Sequence, residues 1–163
     1  MNWEDIQQKI LSLKDLDKKV KMLKNTGKSI VLTNGCFDLV HLGHLQYLCE
    51  ASSLGDYFII AVNSDSSVQD LKGKHRPIKD QLTRTSLLAS LTFVDAVVLF
   101  SDSTPIEIIK TTLPDVLCKG GDWEIENIVG AKEVIAAGGS VKRISFLPGH
   151  STTSLEQKIK SYI

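Results

Sequence analysis

"IVLTNGCFDLVHLGHLQYL", Ile30 to Leu48, decides how this chain is read. It opens as a short apolar run with β-branched residues, turns at Asn34-Gly35, and then adopts helical spacing through His41, His44 and Leu48. Strand, glycine turn and helix follow one another without a break, which is the first half of a βαβ unit. The same alternation recurs downstream. "YFIIAVN", "AVVLF", "DVLCKG" and "VKRISFL" read as further strands. "HLQYLCEASSLG", "LTRTSLLASL", "TPIEIIKTTL", "IVGAKEVIAAGG" and "STTSLEQKIKSYI" read as helices between and after them. Continuous apolar strands separated by helices imply a parallel sheet covered on both faces. The expected fold is therefore a five-stranded, parallel, doubly wound (Rossmann-like) α/β domain.

Ahead of that core, residues 1–27 read as helical. Trp3, Ile6, Ile10 and Leu13 recur at helical spacing, as do Leu16, Val20 and Leu23, with Ser12 placed to cap a second helix that ends at Gly27. Gly55 reads as the residue just past the helix that begins near His41. "SDSSVQDLKGKHRPIKD" reads as one long polar loop, long enough to suggest function. The 163 residues fit one domain, with the α/β core over 28–163.

Composition narrows the function classes. Formal net charge is zero, so no basic face for nucleic acid is expected. No apolar run approaches the ~20 residues needed to span a bilayer, and "MNWEDIQQKI" is too polar and acidic for a secretory signal. Cys36, Cys49 and Cys118 are odd in number and far apart, which fits neither a disulfide framework nor a zinc knuckle. Free thiols in such a chain point to the reducing cytoplasm.

The histidine pair has three readings. From spacing alone, His-x-x-His near a helix start reads first as packing. Zinc needs a third protein ligand, and beyond Asp38 nothing completes a suitable spacing, so no metal site is expected. The phosphate reading uses every neighbour. Gly35 lets backbone approach a ligand, and Gly43 leaves room between the histidines. The helix start offers unpaired N–H groups and a positive dipole end. This is a nucleotide cradle without the Gly-Lys-Ser/Thr of a Walker loop.

"GCFDLVHLGH", with its Gly-x-Phe-Asp and His-x-Gly-His elements, resembles the signature of the cytidylyltransferase-like nucleotidyltransferases. "AVNSD", "LKGKHRPI", the helix carrying Arg84, "VDAVVLF", "PDVLCKGGDW" and "GHSTTSLEQKI" resemble one branch of that superfamily, the D-glycero-β-D-manno-heptose 1-phosphate adenylyltransferases. The resemblance runs from about Leu11 to the C-terminus. It implies transfer of AMP from ATP to the sugar 1-phosphate, giving ADP-heptose and pyrophosphate by direct in-line attack.

The resemblance also implies residue roles. His41, His44 and Lys72 would be catalytic. Asn34, Gly35, Cys36, Phe37, Lys119, Gly120, Asp122, Ser151 and Thr152 would join the histidines in binding nucleotide. Asp38, Asp65, Lys72 and Arg76 would face the sugar phosphate, and Arg84 would support the site. From the residues alone, Asp38 also reads as a helix or turn cap, Ser151 and Thr152 read first as an N-cap, and Lys72, Lys74 and Arg76 read equally as a solvated loop. Mg²⁺ would arrive on ATP. The implied partners are ATP, a sugar 1-phosphate, further copies of the chain in a homo-oligomer, and a separate heptose 7-phosphate kinase. The competing enzyme is a cytidylyltransferase acting on glycerol 3-phosphate. Those relatives carry an arginine where this chain has Phe146, which favours the adenylyl branch. A non-catalytic nucleotide-binding module is the competing class.

Overall fold

Strand identity follows from burial on two sides. A computed structural model describes residues 2–121, 123–145, 149 and 152–162. In β3 (Tyr57–Asn63), Phe58, Ile60 and Val62 enter one hydrophobic cluster, while Ile59 and Ala61 enter the other. That period-2 alternation between two apolar layers is why the strand carries no polar face. β2 (Ile30–Gly35) behaves alike, with Ile30 and Leu32 on one side and Val31 on the other. α2 (Leu13–Asn25), α6 (Ile106–Thr112) and α7 (Ala131–Ala136) cover the first layer. α3 (Leu42–Ser52) and α5 (Gln81–Ala89) cover the second, with Ile6 of α1 (Trp3–Gln8) packed against it.

The sheet has six strands, and every pairing is parallel. Its order is β1-β4-β3-β2-β5-β6, with β1 at Ile10–Leu11, β4 at Ala96–Phe100, β5 at Val116–Gly120 and β6 at Ser140–Ile144. The chain lays β3 and β4 to one side of β2, then crosses over and places β5 on the other. The switch point therefore lies between β2 and β5, where ligands bind beyond the C-terminal strand ends. α4 (Asp65–Lys72) and α8 (Thr152–Lys160) border that end of the sheet.

Three expectations need correction. The N-terminal stretch is not all helix: Ile10 and Leu11 pair with Val97 and Val98 as a sixth strand. Lys9 caps α1, and the Ser12 hydroxyl accepts from Asp15 N to start α2. A two-residue strand is too short to show alternation, so its residues fell into the helical period. The segment after β3 is not one loop. Ser64 caps α4, its hydroxyl accepting from Ser67 N, and Val68 anchors the helix in the interior. With one apolar anchor in a polar sequence, α4 shows no amphipathic stripe. Gly55 is not the residue closing α3, which ends at Ser52 with Ser53 as its cap. A Cβ on Gly55 would lie 2.7 Å from Val31 Cγ2, so glycine serves close backbone approach there.

Candidate active site

Beyond Asn34 the chain makes a tight turn through Cys36, Phe37 and Asp38. Phe37 is left-handed at φ 49°, an arrangement a non-glycine residue holds only when its surroundings fix it. A Cβ on Gly35 would meet the Phe37 ring at 3.1 Å, so glycine lets that ring fold back under the turn. Phe37 is buried and meets the His44 ring edge-on, with centroids 5.7 Å apart. His41 is the N-cap of α3, and its ring lies 4.0 Å from that of His44. Gly43 is buried between them. Burial lowers the His44 imidazole pKa from its ordinary 6.5 to about 4, helped by the charges of His41 and Lys72. At neutral pH the His44 ring is a neutral hydrogen-bonding group at a positive helix end.

A cleft of about 520 Å³ opens over this turn. Of the residues singled out from the sequence, Asn34, Gly35, Cys36, Phe37, Asp38, His44, Lys72, Lys119, Gly120 and Thr152 line it. His41 is not among the lining residues but stands against the His44 ring. Lys119, at the end of β5, donates to the carbonyl (3.3 Å) and side-chain oxygen (3.2 Å) of Asn34 across the switch point. Burial lowers its pKa. Asp122 and Ser151 lie outside the described residues, as does Phe146.

The remaining residues hold the walls. Arg84 is fully buried and donates to Cys36 O (2.6 Å), Lys79 O (3.0 Å) and the Asp65 carboxylate (2.8 Å). Asp65 thus faces Arg84, and neither lines the cleft. Asp38 accepts from Arg76 Nη1 (2.6 Å), Ile78 N (2.9 Å) and Lys79 N (3.0 Å). Burial pushes its carboxyl pKa up, but those two amides and the guanidinium outweigh that and hold it below the ordinary range. Arg76 itself is engaged by Asp38 and by Glu156 of α8.

Trp123 is a lining residue that sequence reasoning missed. It lies half exposed in the cleft with Lys119 Nζ 6.0 Å from its ring centroid. Its position beside "CKGG" was the available signal. Asn63, within "AVNSD", and Thr104 also line the cleft, and neither was singled out as a site residue. Among the described residues, no three His, Cys, Asp or Glu side chains gather to hold a metal ion. The lining carries lysines, amides and hydroxyls at a helix N-terminus, a donor set suited to a metal-bearing polyphosphate rather than a bare cation.

Residues 32–158 match the family described as Cytidylyltransferase-like. The chain belongs to that family. Among similar proteins, "Bifunctional protein HldE" of Marinomonas sp. (strain MWYL1) is 50% identical over 149 residues, covering 91% of this chain and 31% of that protein. The protein of the same name from Shewanella sediminis (strain HAW-EB3) is 54% identical over 133 residues, covering 82% of this chain and 28% of that protein. The chain thus spans about a third of the length of these relatives. A solved lipopolysaccharide core biosynthesis protein from Thermoplasma volcanium GSS1 superposes with TM-score 0.60 at 30% identity, covering 74% of this chain and 98% of that one. A pantoate-beta-alanine ligase from Francisella tularensis shares the fold, with TM-score 0.62 at 14% identity, over 94% of this chain and 77% of that one. No helix among the described residues is long and apolar enough to cross a membrane.

Proposed function

We propose that this chain transfers AMP from ATP to D-glycero-β-D-manno-heptose 1-phosphate, releasing pyrophosphate and forming ADP-heptose. The observation that carries the reading is the assembly of His44, Lys72, Lys119 and Thr152 around the start of α3 at the switch point. The similarity to HldE proteins and to a lipopolysaccharide core biosynthesis protein supports the sugar. A kinase reaction would supply the sugar 1-phosphate.

An acceptor phosphate has its second pKa near ~6 and is mostly dianionic at neutral pH. Its oxygen attacks the α-phosphorus of ATP. The new P–O bond forms as the bond to the β-phosphate bridging oxygen breaks, and pyrophosphate leaves with that electron pair. No base and no covalent enzyme intermediate are needed. Catalysis is alignment plus neutralisation of developing charge. His41, His44 and the N–H groups at the α3 start face the α-phosphate. Thr152 faces the outer phosphates, while Lys72 and Lys119 supply cations at two walls. Mg²⁺ on the triphosphate supplies further charge neutralisation when bound. Gly120 and Trp123 border the base and ribose.

The test is pyrophosphate release with each NTP against a panel of sugar 1-phosphates and glycerol 3-phosphate. ATP with the heptose 1-phosphate is expected to give the highest kcat/KM. A preference for CTP or glycerol 3-phosphate would replace the substrate assignment. Absence of turnover with every pair, alongside tight nucleotide binding, would favour a non-catalytic binding module.

A further inference from the structure

Arg76 lies four residues beyond Lys72, and the sequence places both in a segment suited to gripping phosphate. The structure uses them differently. Lys72 reaches the cleft. Arg76 is not among its lining residues, and its guanidinium spans two carboxylates. On one side is Asp38, nearly fully buried, whose oxygens also take the amides of Ile78 and Lys79. On the other is Glu156, partly exposed on α8. Thr152 and Glu156 are four residues apart, so one face of α8 presents Thr152 to the cleft and Glu156 to Arg76.

We infer that Arg76 and Glu156 form a positioning clasp, which fastens α8 to the Asp38 turn and so sets Thr152 against the bound triphosphate. The inference rests on the reading of this cleft as a nucleotide site. A planar guanidinium bridges two carboxylates with separate N–H groups, which a lysine ammonium does not reproduce in one geometry. The Asp38 end is rigid, because its carboxylate is fixed by two backbone amides. The Glu156 end is the adjustable one, joining a helix to that rigid turn. Arg76 acts on nucleotide through Glu156 rather than by touching phosphate.

Glu156→Gln separates the two roles by sign. If Arg76 grips phosphate directly, removing the Glu156 charge leaves ATP affinity unchanged or tightens it, because a competing carboxylate is gone. If Arg76 works through the clasp, ATP binding weakens. Calorimetric titration of ATP into wild type, Glu156→Gln, Arg76→Gln and the double variant is the experiment. We expect Glu156→Gln to weaken ATP by about 3- to 30-fold, the range found for mutations that modulate coupling between sites. Its melting temperature should stay near wild type, since Glu156 is partly exposed and pairs at the surface. The double variant should bind ATP within about twofold of Arg76→Gln alone, because both changes cut one link. Glu156→Asp should recover part of the affinity. ATP affinity in Glu156→Gln equal to or tighter than wild type would overturn the clasp. So would multiplicative losses in the double variant. If wild type binds no ATP, the nucleotide reading fails and this inference fails with it.

Discussion

His44 is neutral where a phosphate-binding residue would ordinarily be expected to carry charge. Its ring is packed against Phe37 and His41, and burial disfavours the imidazolium. The sign of its effect on stability follows. The unfolded chain takes up a proton near pH 6.5, while the folded protein does not until about 4. His44 therefore lowers stability as pH falls between those values. Asp38 adds to acid lability, since the stability its depressed pKa provides is lost as pH falls through that folded value. We predict that the His44 imidazole of the free protein titrates near pH 4 by NMR. A midpoint near 6.5 would show that the ring is solvated and the packing account wrong. A second prediction concerns Gly35. Gly35→Ala places a methyl 3.1 Å from the Phe37 ring, which must shift into the turn. Overpacking of this kind costs about 1–3 kcal/mol by chemical denaturation. A wild-type midpoint would mean that Phe37 is freer than its burial implies.

At the scale of elements, the site is held by one buried cation. Arg84 of α5 ties the turn after β2, the loop before α5 and the start of α4 into a single unit. Arg84→Met keeps much of the volume but strands two carbonyls and the partly exposed Asp65 carboxylate. We predict a loss of about 3 kcal/mol in unfolding free energy, the low end for breaking a buried pair because water reaches Asp65. A loss below about 1 kcal/mol would show that the guanidinium is not structural. The sequence indicated Arg84 only through family resemblance, since an arginine in an amphipathic helix normally reads as a solvated face. The same physics limits the rest. β2, β3 and β4 were legible because strands buried on both faces carry unbroken apolar runs, whereas β5 and the edge strand β6, which exposes Lys142 and Arg143, followed from the alternation with helices. β1 and α4 were not legible. Both are short, and tertiary contacts, from Val97 and Val98 for one and the single anchor Val68 for the other, stabilise what local pattern does not announce.

Across the whole molecule, the order of strands determines where chemistry is possible. β2 is central, β3 and β5 flank it, and the chain reverses direction of assembly between β2 and β5. Asn34 at the end of β2 and Lys119 at the end of β5 meet there through two hydrogen bonds. Strand, glycine and helix start left the histidine motif open between packing and a phosphate cradle, and only the family resemblance favoured the cradle. Lys119 was indicated only through family resemblance and Trp123 needed the fold, because 85 residues separate Lys119 from Asn34 and no local pattern joins them. The sugar and base rest on family likeness, because triphosphates are alike in all NTPs and the phosphate grip does not distinguish them. The central claim is that this cleft transfers a nucleotidyl group with His41 and His44 at the α-phosphate. It is tested most directly by pyrophosphate release from ATP and the heptose 1-phosphate, comparing wild type with His41→Ala and His44→Ala. The account predicts rapid release by wild type and a fall of about 10²–10³ in kcat for each variant, the usual effect of removing one charge-stabilising donor. Near-wild-type kcat in both variants would contradict it.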